Sequence, residues 1–246
     1  MRIFGMLSIV FLSIVATGAD AITVDELIAK NIEARGGIEK IKAIQSIRLI
    51  GKIRFGSTEL AFVHMGERPA KVRNELSWQG LTSVDAYDGS IGWRISPFQG
   101  RLDPEKVSAD ERKSMQLESD IDGPLVDYKA KGHTVEYLGT EDVDGTDAHK
   151  LKVTLKNSDV HTIYLDPDYF LEIRTLDQTR IRGTMEEYET DLGNYEQVNG
   201  VYFPFSVEIG GKGQPKGQKI TFEKAEGNVD IDDSLFHFPE PESKSK

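Results

Sequence analysis

Five histidines, His64, His133, His149, His161 and His237, are the side chains best suited to chemistry in this sequence. A helical zinc site needs two of them four residues apart, because positions i and i+4 share a helix face. No pair here has that spacing, and none sits in an acidic cluster along the chain, so each reads as a strand residue. Asp142-Val143-Asp144-Gly145-Thr146-Asp147 begins like a calcium loop. It lacks the further alternating ligand, the correctly placed glycine and the closing glutamate that such a loop needs, so it reads as a hairpin turn. Asp120-Ile121-Asp122-Gly123 fails in the same way. The glycine-rich run from Gly210 to Gly217 joins two strand patterns and opens no helix. It therefore has no helix N-terminus with which to hold a phosphate. There is no cysteine, which excludes disulfides, thiol nucleophiles and cysteine-held metals. No Gly-x-Ser-x-Gly elbow exists, and the adjacent pair Glu186-Glu187 would point to opposite faces of a strand. These residues give no grounds for an enzyme, a cofactor or a metal.

The elements that carry them begin after an export-type leader. Arg2 precedes an apolar run over 3–16, and Ala19-Asp20-Ala21 offers small residues for cleavage. About 14 residues at 1.5 Å each fall short of a ~30 Å hydrocarbon core. A signal peptide over 1–21, cleaved after Ala21, is therefore the expectation. Ile22 stands where a lipid-anchored protein would need cysteine, so the product should be untethered. Next comes an amphipathic helix with Thr23 and Glu26 as a capping box, Leu27, Ile28 and Ile32 as its apolar stripe, and Gly36-Gly37 at its end. A short helix over 38–44 follows.

From residue 46 the period is two. Ile47, Leu49, Ile53 and Phe55 alternate with Arg48, Lys52 and Arg54, the pattern of a strand with one wet face. Further strands are predicted near 58–66, 70–78, 81–88, 91–96, 133–141, 148–156, 159–165, 169–177, 181–192, 198–209 and 217–227. Asp88-Gly89, Asp144-Gly145 and Asn199-Gly200 are among the turns between them. Residues 103–131 interrupt the series and read as two short helices split at Gly123-Pro124. The tail over 239–246 is polar and is expected to be disordered. The fold expected is mainly β (α+β): one domain over 22–238, an antiparallel sheet of about 11–12 strands that curls or is covered. The net charge of −11 disfavours nucleic acid and anionic membranes as partners.

Several segments in order resemble the LolA/LolB-like superfamily of periplasmic lipoprotein carriers. They are Glu67-Arg68-Pro69-Ala70-Lys71-Val72-Arg73, then Tyr87-Asp88-Gly89-Ser90-Ile91-Gly92-Trp93, then Ser96-Pro97-Phe98. The closing segment from Val229 to Pro239 matches as well, and Tyr164-Leu165-Asp166-Pro167 with Leu171-Glu172-Ile173 fits the outer-membrane lipoprotein-sorting variant. The resemblance implies an incomplete antiparallel β-barrel around a hydrophobic cavity, with helices covering the concave face as a lid. It implies a non-enzymatic periplasmic carrier that takes acyl chains of lipoproteins or other lipids toward the outer membrane. Its partners would be an inner-membrane transporter and an outer-membrane acceptor, and the chain itself would be a monomer. A lipid-responsive envelope sensor or interaction module of the same fold is the alternative. By position Arg68 would be the arginine that latches the lid. Leu49, Ile53, Phe55, Phe62, Trp93, Ile95, Leu151, Val153, Ile163 and Leu171 are the expected cavity lining, provided each strand's parity is assigned correctly.

Overall fold

The capping box forms as expected: the Thr23 hydroxyl accepts the Glu26 amide and the Glu26 carboxylate accepts the Thr23 amide, starting helix α1 (Val24–Ala34). Helix α2 (Ile38–Ala43) follows after Gly36-Gly37. The computed structural model describes residues 22–181 and 183–239. The expected signal peptide and nearly all of the expected disordered tail lie outside them.

The described residues form thirteen antiparallel strands in one open sheet. They are β1 (Ser46–Phe55), β2 (Thr58–Glu67), β3 (Lys71–Trp78), β4 (Leu81–Tyr87), β5 (Gly92–Ser96) and β6 (Arg101–Lys106). After helix α3 (Ala109–Glu118) come β7 (Thr134–Val143), β8 (Thr146–Thr154), β9 (Val160–Leu165), β10 (Glu172–Ile181), β11 (Thr184–Val198), β12 (Val201–Gly211) and β13 (Gln218–Gly227). The spatial order is β6-β5-β4-β3-β2-β1-β13-β12-β11-β10-β9-β8-β7. The sheet is not closed, so the molecule is an incomplete barrel. Its two edges, β6 and β7, are consecutive in the chain, so residues 107–133 must bridge the opening.

Two corrections concern that bridge. Residues 101–106 form an edge strand, which makes thirteen strands rather than 11–12. Pro104 is tolerated there because an edge strand need not use every amide. The expected second helix is instead a run of turns over 120–132, with Leu125 and Val126 fully buried.

Register assigns the faces. Ile47, Leu49, Gly51 and Ile53 stand opposite Gly66, His64, Phe62 and Leu60, and this face turns toward the helices. On it, β1, β2, β12 and β13 contribute one cluster containing Leu49, Ile53, Phe62, Phe205 and Phe222. Gly51 is required at the β1–β13 seam, since a Cβ there would lie 2.1 Å from the Thr221 carbonyl oxygen. At the β7–β9 end, Leu27 and Ile28 of α1 and Leu125 bury Leu151, Val153, Ile163 and Leu165. Each such side chain contributes about 1.5–3 kcal/mol on burial. The opposite face is crossed by residues 228–239, with Phe236 buried against Met65 and Ile231.

Candidate functional site

Helix α3 crosses the helix-bearing face and is built to be held lightly. Ser108 and Glu111 form its capping box. Only one of its side chains, Met115, is buried among apolar neighbours, with Val72, Tyr87 and Val107. It can approach the sheet because Gly92 has no Cβ: one there would stand 2.7 Å from Val107 and 2.9 Å from the Met115 sulfur. Polar contacts add to this hold. Arg94 bridges Asp85 (2.6 Å) and Glu111 (3.2 Å). Gln116 donates to the Tyr87 hydroxyl at 3.2 Å, and Arg112 to the Ser90 carbonyl at 3.2 Å. At its C-terminal end Glu118 accepts from Asn74 at 2.9 Å and lies 3.6 Å from His64. Burial disfavours a charged His64, but Glu118 and Asn74 outweigh it and its pKa moves up. The Glu118 side chain is 44% exposed, and His64 and Asn74 lower its pKa.

Beside α3 lie two cavities. One of 440 Å³ is bounded by α3 and by strands β9 to β12; Leu117, Leu155, Val160, Tyr188 and Ile209 line it together with Glu118, Asp159, Asp177 and Thr179. The other, of 430 Å³, is lined by Leu117, Leu155, Lys113, Gln116, Asp120, His133, Lys156 and Asn157. Both fall within the range of small-ligand sites, about 300–1,000 Å³. Ile209 also packs on the Leu49–Ile53–Phe62 cluster, so that cluster adjoins the larger cavity.

The chain after α3 is anchored far more firmly. The Asp122 side chain is 3% exposed and takes Lys42 Nζ at 2.5 Å. Arg68 NH1 donates to it at 3.1 Å, and Arg68 NH2 forms a second, shorter bond to its other oxygen. Arg68 also donates to the Ile44 carbonyl (2.6 Å) and the Ile41 carbonyl (3.1 Å), and Arg35 to the Asp122 carbonyl (2.7 Å). Burial would raise the Asp122 pKa, but Arg68 and Lys42 bring it below the usual aspartate value. The arginine picked out in the sequence therefore reaches the 120–132 segment rather than α3 itself.

The expected lining residues are dispersed. Leu49, Ile53 and Phe62 are brought together in the sheet cluster, and Phe55 lies at the exposed end of β1 on the same face. Leu151, Val153 and Ile163 share a face as the alternation requires, but α1 and Leu125 seal them. Leu171 is half-buried in the β9–β10 connection, where its carbonyl accepts the Asp166 amide at 2.9 Å. Trp93 and Ile95 lie on the opposite face with Val84, Ala86 and Phe238, where they line a separate cavity of 380 Å³, and the Trp93 indole donates to the Phe236 carbonyl at 2.8 Å. None of the ten is among the residues lining the two cavities.

The carboxylate partners of His64 and His161 leave no mark in the sequence, because they lie across strands or on α3. His161 bonds Asp177 on the neighbouring strand, and its pKa rises because Asp177 and Glu172 outweigh burial. Tyr188, Ile209 and Thr179 were missed for a similar reason, since only register reveals that they share one wall. Among the described residues no group of three or more His, Asp or Glu could hold a metal ion, and no helix is long and apolar enough to cross a membrane.

No family model matches the chain, and no curated protein matches it in sequence. Solved structures do. A LolA superfamily protein from Nitrosomonas europaea is 12% identical, with 88% of this chain and 98% of that one covered at a TM-score of 0.58. A domain from Vibrio parahaemolyticus, described as an outer membrane lipoprotein-sorting protein, is 12% identical over 85% of this chain and 94% of that one, at 0.56. A DUF1329 family protein from Desulfovibrio piger is 13% identical over 87% and 97%, at 0.53. At such identities the likeness is one of fold, and the open thirteen-stranded sheet with its crossing helix is a LolA/LolB-like fold.

Proposed function

We propose that this chain is a non-enzymatic carrier that holds acyl chains of lipoproteins or other lipids beside α3 and moves them across the periplasm. The observation that carries the reading is the pair of cavities flanking a helix that buries one apolar side chain. A helix with few buried apolar contacts belongs to the low-stability end of a structure, where lids are found. Displacing it would join the cavities to the floor made by Leu49, Ile53 and Phe62, with Phe55 at the rim. Each buried methylene then contributes about 0.8 kcal/mol. Arg68 is the latch in this reading: by holding Asp122 it fixes the point from which α3 swings. The lipoprotein-sorting description of one similar structure favours acyl-bearing cargo. The leader over 1–21, cleaved after Ala21, would deliver an untethered monomer to the periplasm. An inner-membrane transporter would load it and an outer-membrane acceptor unload it.

Titration with the uncharged probe 1-N-phenylnaphthylamine tests this. Saturable fluorescence enhancement, weakened at least tenfold by Leu117→Asp, is expected. A folded wild-type chain that does not bind the probe would sink the carrier reading.

A further inference from the structure

The larger cavity is not an aliphatic sleeve. On its wall, Asp177 stands opposite His161 on β9 and Tyr188 on β11, and Thr179 follows two residues later on the same face. Asp177 is engaged by His161, yet its side chain remains 32% exposed. The Thr179 hydroxyl oxygen is buried and has no hydrogen-bond partner among the described residues. Glu118 and Asp159 add two carboxylates to the same lining. The lining's cation, Lys113, lies 3.3 Å from Asp110 on its own helix. The space is thus rich in acceptors. The neighbouring cavity shares Lys113, Leu117 and Leu155 with it, so a tail and a head can lie on the two sides of those side chains.

We infer that the site takes a single-chain amphiphile whose head donates hydrogen bonds or carries a positive charge, and discriminates against carboxylate heads. The carboxylates of the lining keep lone pairs beyond those used by their protein partners and can accept from a donor head, whereas an anionic head would be desolvated against like charge. The inference rests on the carrier reading and narrows its ligand class.

Displacement of 1-N-phenylnaphthylamine by dodecylamine, dodecanol and dodecanoate, each below its micelle concentration, separates the two ideas. Dodecylamine is expected to displace the probe at a concentration at least tenfold below that of dodecanoate, with dodecanol between them. Asp177→Asn should cut that ratio to about threefold. Asp168→Asn, the same charge change at an exposed position, should leave it unaltered and so controls for the overall charge of −11. Equal or tighter binding of dodecanoate, or a ratio that falls equally in both variants, would overturn the inference while leaving a carrier. Failure of the probe itself to bind would overturn both.

Discussion

Asp122 was set aside in the sequence because its neighbourhood fails as a calcium loop, and it proves to be the carboxylate on which Arg68 and Lys42 converge. Removing Arg68 leaves a buried carboxylate with one partner fewer, a kind of loss that costs about 3–5 kcal/mol. Arg68→Leu should therefore lower stability in urea by about 3 kcal/mol and expose residues 120–132 to protease. An unchanged midpoint and cleavage pattern would remove the latch. The Asp122 pKa is depressed in the fold, so its contribution is complete above the free value of about 3.9 and drains only as pH falls further. His64 has the opposite sign. Its raised pKa gives a contribution complete below about 6.5 that is lost as pH climbs through the folded value. Hydrogen exchange of α3 amides, corrected for intrinsic rates, should thus be faster at pH 8.5 than at pH 6, and His64→Gln should flatten the difference. An equal difference in that variant would show that the His64–Glu118 pair does not hold the helix. Arg68 was legible because the Arg-Pro step marks it; Asp122, 54 residues away, was not.

At the scale of elements, periodicity recovered most strands because one face is wet and the other packed. It failed where both faces are covered. Trp93 and Ile95 read as lining, yet the 228–239 segment gives the opposite face its own apolar layer, and alternation cannot tell the two apart. The edge strand β6 was missed because Asp103-Pro104 reads as a helix start. For α3 the decisive position is Gly92. Gly92→Leu should push the helix off the sheet, raising tryptic cleavage at Arg112 and Lys113 severalfold while leaving the strand signal in circular dichroism intact. Cleavage at the wild-type rate would mean that α3 tolerates the intrusion and is not the moving part. Ser108→Ala, which removes the cap, should weaken the same helix by about 1 kcal/mol and shift its exchange in the same direction.

For the whole molecule, the order of strands carries the argument. Joining β1 to β13 puts β6 and β7 at the two edges, so the chain between them has to cross the gap that a closed barrel would not have. That segment supplies both a sealed part, Leu125 and Val126, and a lightly held part, α3, with the cavities beside it. The sequence showed a long meander with an interruption; it could not show the seam, because pairing of the first and last strands leaves no local mark. A carrier of this kind must hold its cargo in those cavities. The direct measurement is mass spectrometry of a solvent extract of the chain purified, without detergent, from the envelope of a bacterium expressing it. Acyl lipid is expected at close to one molecule per chain in the wild type and little in a folded Leu117→Asp variant. Wild-type protein without acyl lipid, or equal lipid in both, would contradict the carrier reading.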